Sequence, residues 1–412
     1  MTVRTIDHLL IGGGLAAASC ARTLREEGAE GSILLVGREP DAPYDRPPLS
    51  KEYLRDEQDR AAALVESEQW WAEREIELLT GTSVMKLDAG DRLATLSNRE
   101  EVRFSSALLA TGSNVRRLRA EGSDLDGIHY LRAFANSDAI RADAREGARV
   151  VLIGGSYIGC EVAASLTAAF GCECTIVMQE EVTFERQFGA EVGAYFQREL
   201  EQRGVTLHGG DELERFEGGD GRVGRVVTAG GLELDCDCVV IGAGVMPDVM
   251  LARAAGLDLG DSGGVRCSAQ LETSAPGIYA AGDVCEYDST VHGRSLRVEH
   301  WDVALQHGKT AALNMVGRGV AHETVPYFFS DLADWTSMEY VGPGAGEPVI
   351  RGSLEGGDFT AFYVDAGHVT AALTVGRSED LDHARRWIRG EGTVPGGEAL
   401  ADEGTDLGSA GA

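Results

Sequence analysis

No apolar run in the chain approaches the roughly 20 residues that a membrane-spanning helix needs, so no bilayer crossing is expected. Cations are scarce as well: 37 Lys and Arg stand against 67 Asp and Glu, a net charge of −30. Neutralising a phosphate backbone or an anionic membrane surface takes basic residues, so neither nucleic acid nor membrane is an expected partner. The same charge would keep a protein soluble in salt-rich cytoplasm. Cysteine is sparse, eight in 412 residues, with none between Cys20 and Cys160. That usage suits a reducing compartment. With the first glycine turn at Gly12, no cleavable leader is expected ahead of it, and the expected location is cytoplasmic. Cys172-Glu173-Cys174 and Cys236-Asp237-Cys238 raise the question of zinc. Both pairs fall at or inside predicted strands and lack the turn spacing of structural zinc sites, so they read as small, half-buried hydrophobes and no metal is expected.

Glycine is in excess, 54 residues, which marks tight turns and close backbone approaches to ligands. At 412 residues the chain is too long for one ordinary core and suggests two or three domains. One unit occurs twice. An apolar strand over residues 6–11 runs into Gly12-Gly13-Gly14-Leu15-Ala16-Ala17, then a helix to about residue 27 and a strand over 32–37. Residues 149–153 run likewise into Gly154-Gly155-Ser156-Tyr157-Ile158-Gly159, then a helix to about residue 170 and a strand over 174–178. In each copy the first glycine permits the turn and the second lets the backbone approach a pyrophosphate. A small third residue lets the helix pack on the strand. The phosphates sit on the helix N-terminus, where free N–H groups and the helix dipole favour negative charge. Ala17 is small enough for the third role. Ser156 takes the middle position of the second copy and brings a hydroxyl that can donate to a phosphate.

Residues 271–283, ending in Ala281-Gly282-Asp283, resemble the second flavin motif of the glutathione-reductase-like flavoproteins. In that superfamily the aspartate accepts hydrogen bonds from the ribityl chain of FAD. Residues 107–113, with Ala110, Thr111 and Gly112, resemble one of its crossover segments, and 239–244, with Gly242, Ala243 and Gly244, the other. The resemblance implies an α/β fold with two Rossmann-like dinucleotide-binding domains, the second inserted in the first. A discontinuous FAD domain would take residues 1–113 and 243–322, an NAD domain 114–242, and a small α+β C-terminal domain 323–412.

The stretch Pro43-Tyr44-Asp45-Arg46-Pro47-Pro48-Leu49-Ser50-Lys51 is similar to a loop of the oxygenase-coupled ferredoxin reductases, and apoptosis-inducing factor is similar there too. The resemblance implies FAD contacts for Arg46, Lys51, Arg132 and Val84. It places Glu161 beside the flavin within reach of Lys51, and Tyr157 over the flavin, to move as nicotinamide enters; Tyr157 reads equally well as core packing. A Lys–Glu pair there would set a positive charge near flavin N5. Arg297-Val298-Glu299-His300-Trp301 resembles a flavin-covering segment of the apoptosis-inducing factor branch. Relatives that reduce disulfides carry a cysteine near the flavin, and this chain has none in that region.

Arg38 stands where an acidic residue commonly holds the FAD ribose, and Glu39 is expected to take over. After the strand of the second copy come Gln179, Glu180 and Glu181, with no Lys or Arg until Arg186. A ribose diol favours a carboxylate and a 2′-phosphate a cation, so Glu180 points to NADH, with NADPH disfavoured. From about residue 326 the chain turns to short alternating strands, a helix over about 381–389, and a Gly/Ala/acidic tail expected to be disordered. Pro326-Tyr327-Phe328-Phe329-Ser330-Asp331 resembles the opening of the reductases' C-terminal domain, with Phe329 where they carry a tryptophan. The expected activity is hydride transfer from NADH to FAD, then single-electron transfer to a ferredoxin-type iron–sulfur protein serving an oxygenase or cytochrome P450. A reductase of quinones or radicals, or an NADH redox sensor, are the other readings, and the chain would be a monomer or homodimer. Acidic ferredoxins would be repelled at long range by a chain of net charge −30. Arg116-Arg117-Arg119 and Arg385-Arg386-Arg389 read either as local docking patches or as solvated faces.

Overall fold

The computed structural model describes residues 3–344 and 346–408, and the chain forms two compact units. The first takes the chain up to Asp45, then Ala61–Asn114 and Val245–Pro326; the second takes Arg46–Arg60, Val115–Gly244 and the chain from Tyr327.

In the first unit, strands Ile76–Leu79, Ile33–Val36, Arg4–Ile11 and Glu101–Leu109 run parallel in that order. Strand Ile278–Ala280 joins the end of Glu101–Leu109, also in parallel. Antiparallel Leu93–Leu96 and Val84–Asp88 continue the sheet from that strand's beginning. Ile33 to Val36 are buried without alternation, as in a parallel sheet covered on both faces. The helix Leu15–Glu26 follows the first glycine turn, and its small face lies against the helix Trp301–Met315. There Ser19 Oγ donates to the Leu305 carbonyl at 2.7 Å, which holds the two helices close.

The second unit repeats the plan. Strands Thr206–His208, Glu173–Val177, Arg149–Ile153, Cys238–Ile241 and Ile128–Tyr130 form a five-stranded sheet, every neighbouring pair parallel. The two copies even share their register logic: Ile11 pairs with Val36 at the end of one strand pair, and Ile153 with Val177 at the end of the other. From Tyr327 a five-stranded antiparallel sheet follows, in the order Tyr327–Leu332, Thr336–Val341, His368–Val375, Asp358–Asp365, Pro348–Ser353. The helix Asp380–Ile388 carries Leu381, Ala384 and Trp387 on its buried side.

Three features differ from the sequence reading. Residues 46–60 group with the second unit instead of staying with the rest of 1–113. Their anchors are there: Ser137 Oγ donates to the Leu49 carbonyl at 2.9 Å, and Ser165 Oγ to the Ser50 carbonyl at 2.7 Å. The described part of the tail is packed, not disordered. Buried Arg351 donates to the carbonyls of Asp402 at 2.6 Å and Thr405 at 3.0 Å, while Leu400 and Leu407 are buried. All eight cysteines are free and fully buried, not half-buried, and burial raises the pKa of Cys20, Cys160, Cys172, Cys174, Cys236, Cys238 and Cys285. Protonated buried thiols are poor nucleophiles, so none of these seven is suited to disulfide exchange. Among the described residues, no helix is long and apolar enough to cross a membrane, and no His/Cys/Asp/Glu group could hold a metal ion.

Candidate dinucleotide sites

In the first unit the turn after the strand Arg4–Ile11 is forced by close approach. Gly12 has φ +135°, and a Cβ there would lie 2.0 Å from the Ala110 carbonyl oxygen. Ala110 N–H in turn donates to the Ile11 carbonyl at 2.8 Å, tying the crossover segment to the glycine turn. No side chain caps the helix that begins at Leu15, with Ala16 and Ala17 buried in its first turn. Above Gly14 the space is open for 4 Å. Free helix amides facing open space are the cradle that a pyrophosphate needs.

The predicted adenosine end comes together around this turn's second strand. Tyr44 donates to the Glu39 carboxylate. Arg38 is engaged elsewhere, donating to Asn114 Oδ1 at 2.7 Å and pairing with Asp248 at 3.1 Å. Glu39 and Arg38, adjacent in sequence, are thus engaged by different partners. Thr111 Oγ1 donates to the Asp248 carbonyl at 2.7 Å, and the Asp248 N–H to Gly112 at 2.8 Å. Val84 opens its strand opposite Leu96.

At the other end, Gly282 and Asp283 begin a single helical turn after the strand Ile278–Ala280. Arg297 donates to the Asp283 carbonyl at 3.2 Å and pairs with Glu299. Burial pushes the His300 imidazole down to about 4, against the pull of the Asp283 carboxylate. Trp301 Nε1 donates to Asp45 Oδ1 at 2.7 Å, an acceptor the sequence did not single out.

Behind Gly282 lies a cluster that the motifs do not reveal. The Gly282 N–H donates to His307 Nδ1 at 3.3 Å, and His307 meets His322 and Tyr287 edge-on, at 4.5 and 4.8 Å between ring centres. His322, 2% exposed, exchanges a hydrogen bond with Thr310 Oγ1 at 3.0 Å. Burial pushes His322 down to about 4. A histidine held neutral in the fold but free to take a proton near 6.5 when unfolded stabilises fully above that value. The contribution is lost as pH falls toward 4. His322→Gln is therefore expected to flatten the fall in unfolding free energy between pH 7 and 4.5 by about 2 kcal/mol. Urea titrations of both proteins across that range measure it, and parallel pH profiles would refute it.

In the second unit the turn Gly154–Ser156 leads into the helix Tyr157–Phe170. Gly159 lies against the turn: a Cβ on it would sit 1.9 Å from the Gly154 carbonyl oxygen. The crossover reaches the same place, with Gly242 N–H donating to the Ile153 carbonyl at 2.8 Å and Arg116 N–H to Gly244 at 2.9 Å across Ala243. Ile158 is partly buried in the first helical turn. Tyr157 packs among Phe184, Phe188 and Phe328, with ring centres 5.4, 6.2 and 5.0 Å away.

Two serines join Lys51 and Glu161 into one buried network. Lys51 Nζ lies 3.1 Å from Glu161 Oε1, and both side chains are under a tenth exposed. The same carboxylate accepts from Ser50 Oγ and from Ser330 Oγ, each at 2.5 Å. Lys51 also lies 5.2 Å from the centre of the Phe329 ring, which is itself 37% exposed. Burial raises the neighbouring Asp331 carboxyl, while Lys51 pulls it the other way. Arg46 donates to the Arg132 carbonyl, which places both of these predicted FAD contacts side by side. Ser50 and Ser330 both lie in segments that resemble the reductases, but a serine carries no mark of its partner.

At the end of the strand Glu173–Val177 the structure corrects the reading that no cation is near. Arg186 folds back to pair with Glu180 at 2.5 Å and donates to Gln179 at 3.3 Å. Met178, in the place of the superfamily's usual acid, is buried against Gly155 instead of facing a ribose.

Comparison with known proteins agrees with this geometry. The family model for pyridine nucleotide-disulphide oxidoreductases matches residues 6–308, and a reductase C-terminal model matches residues 327–410. The ferredoxin–NAD(+) reductase component of the anthranilate 1,2-dioxygenase system of Burkholderia cepacia is 34% identical over 400 residues, 96% of each chain. The corresponding component of the biphenyl dioxygenase system of Paraburkholderia xenovorans is 34% identical, over 97% of this chain and 96% of its own. Putidaredoxin reductase, solved in a covalent complex with putidaredoxin, superposes with a TM-score of 0.92 at 30% identity, covering 98% of this chain and 97% of its own.

Proposed function

The chain belongs to the pyridine nucleotide-disulphide oxidoreductases, FAD-dependent enzymes that use a nicotinamide cofactor, and we propose that it passes electrons from NADH to a ferredoxin-type iron–sulfur protein serving an oxygenase or cytochrome P450. One observation carries the reading: two strand–glycine turn–helix units, each with a helix N-terminus that no side chain caps. Bound FAD supplies the junction between a hydride donor and one-electron acceptors.

The chain's residues bind, orient and tune. The turn Gly12–Ala17 holds the FAD pyrophosphate on helix amides, Glu39 takes its ribose, and Asp283 accepts from the ribityl hydroxyls. His300 and Trp301 cover the ring system, and the Trp301–Asp45 hydrogen bond fixes that cover. The turn Gly154–Gly159 holds NADH, with Glu180 on its adenosine ribose. Lys51 supplies a fixed positive charge toward the flavin, and Glu161 holds the ammonium in place. Tyr157 moves aside within its aromatic cluster to admit nicotinamide, and Phe329 excludes water. The acceptor assignment is supported by the two dioxygenase-system relatives. Arg385 pairs with Asp382 at 2.7 Å and lies over the Tyr327 ring, so the basic stretch on that helix is partly neutralised.

Stopped-flow mixing of the FAD-loaded protein tests the reading. NADH is expected to bleach the flavin at least tenfold faster than NADPH, and a [2Fe–2S] ferredoxin to restore its colour faster than a quinone. If neither nucleotide bleaches the flavin, the reading fails; faster reoxidation by quinone than by any of a panel of ferredoxins would overturn the acceptor.

A further inference from the structure

Ser156 occupies the residue just before the helix Tyr157–Phe170, the position where serine most often caps a helix through its side chain. It does not do so. Its backbone is extended, at φ −107° and ψ −163°, and its side chain makes no hydrogen bond to the helix amides. Instead Ser156 Oγ accepts a hydrogen bond from Gln187 Nε2 at 3.1 Å.

Gln187 is placed for this by its own segment. It lies in the short helix Glu185–Phe188, which follows Phe184 in a left-handed conformation at φ +55°. The Phe184 N–H donates to the Gly155 carbonyl at 2.9 Å, so the segment is pinned to the glycine turn one residue from Ser156. The rings of Phe184 and Phe188 pack against Tyr157, on the other side of Ser156. The contact is thus held from both flanks and is not the chance meeting of two surface side chains.

A hydroxyl has one proton to give and lone pairs to accept with. With an amide N–H donating to the oxygen, the proton is left to point away from Gln187, and no acceptor takes it among the described residues. It sits beside helix amides that are likewise uncapped. Resting on the reading of this turn as the NADH site, we propose that Ser156 is a pyrophosphate ligand and that Gln187 is its positioning residue. The amide of Gln187 turns the hydroxyl proton toward the phosphates. The extra donor compensates for the Cβ that Ser156 brings to a position where the backbone alone would approach the anion.

The test is calorimetric titration of the FAD-loaded protein, in which the FAD site is filled, with ADP-ribose and with adenosine. Ser156→Ala is expected to weaken ADP-ribose about tenfold, the scale of one hydrogen bond to a charged group. Gln187→Leu is expected to weaken it severalfold, and Gln187→Glu, which can only accept and so draws the proton away, by at least as much. The double variant Ser156→Ala/Gln187→Leu is expected to bind like Ser156→Ala alone, because Gln187 acts only through the hydroxyl. Adenosine, lacking phosphates, is expected to bind all variants equally. Unchanged ADP-ribose binding in Ser156→Ala, additive losses in the double variant, or equal losses with adenosine would each overturn the proposal. Failure of the unmutated protein to bind ADP-ribose would instead overturn the assignment of the turn to NADH.

Discussion

Glu161→Leu is expected to cost about 3–5 kcal/mol of stability and to slow flavin reduction by NADH at least tenfold, with FAD still bound. The stability figure follows from what remains behind. Lys51 is 3% exposed, and removing its carboxylate strands an ammonium that the fold cannot hydrate, the situation in which buried ion pairs show their largest effects. Two further donors lose their acceptor, since Ser50 and Ser330 both hydrogen-bond to Glu161. Lys51→Met combined with Glu161→Leu removes the stranded charge. It is expected to regain most of the loss, less the cost of two hydroxyls left without a partner. The kinetic effect is expected to stay in the double variant, because the fixed charge is then absent. Urea unfolding of the three proteins together with stopped-flow reduction separates the two roles. A single variant as stable as the parent, or a double variant that reduces at the parental rate, would remove the pair from its assigned place.

Gly159→Ala is expected to retain the flavin's visible spectrum yet lose about a hundredfold in reduction by NADH. The added Cβ would meet the Gly154 carbonyl oxygen at 1.9 Å, and that atom is backbone inside a hydrogen-bonded turn, so it cannot swing away as a side chain would. The helix must therefore back off from the strand. Its amides move with it, and a displacement of about 1 Å at a binding element is enough for a hundredfold loss. FAD retention is the internal control, since the first glycine turn is built from other residues. A variant reduced at the normal rate would show that the second turn does not hold NADH.

Much of this architecture was legible because its causes are local. A strand, a glycine turn and a helix leave a contiguous pattern, so both copies are readable to within two residues of the observed Arg4–Ile11, Leu15–Glu26, Arg149–Ile153 and Tyr157–Phe170. The Lys51–Glu161 pair was anticipated only through resemblance, because no spacing rule joins a loop to a helix so far along the chain. Ser50 and Ser330 were beyond either route: they lie 111 and 169 residues from Glu161, and serines are among the least patterned of residues. Arg186 is the first cation after that strand, and only the folding of the segment back on itself brings it to Glu180. The order of the tail is hidden for a related reason. A stretch rich in Gly, Ala and acids lacks the periodicity of a packed element, but one buried Arg351 and two leucines suffice to dock it.

The first unit draws on three separated stretches of chain, and this orders events during synthesis. Its opening strand pairs with Glu101–Leu109, that strand waits for Ile278–Ala280, and the helix after the first glycine turn waits for its neighbour Trp301–Met315. Within that interval the whole parallel sheet of the second unit, residues 128–241, is synthesised. Domains fold as units when their residues become available, and pairings between distant stretches are slow to close. The inserted sheet is thus expected to close early, while the sheet of the first unit stays half-built until its last strand arrives. Newly made chains cut short before residue 278 would carry the second glycine turn with its parallel sheet complete, and the first with a sheet that still lacks a strand.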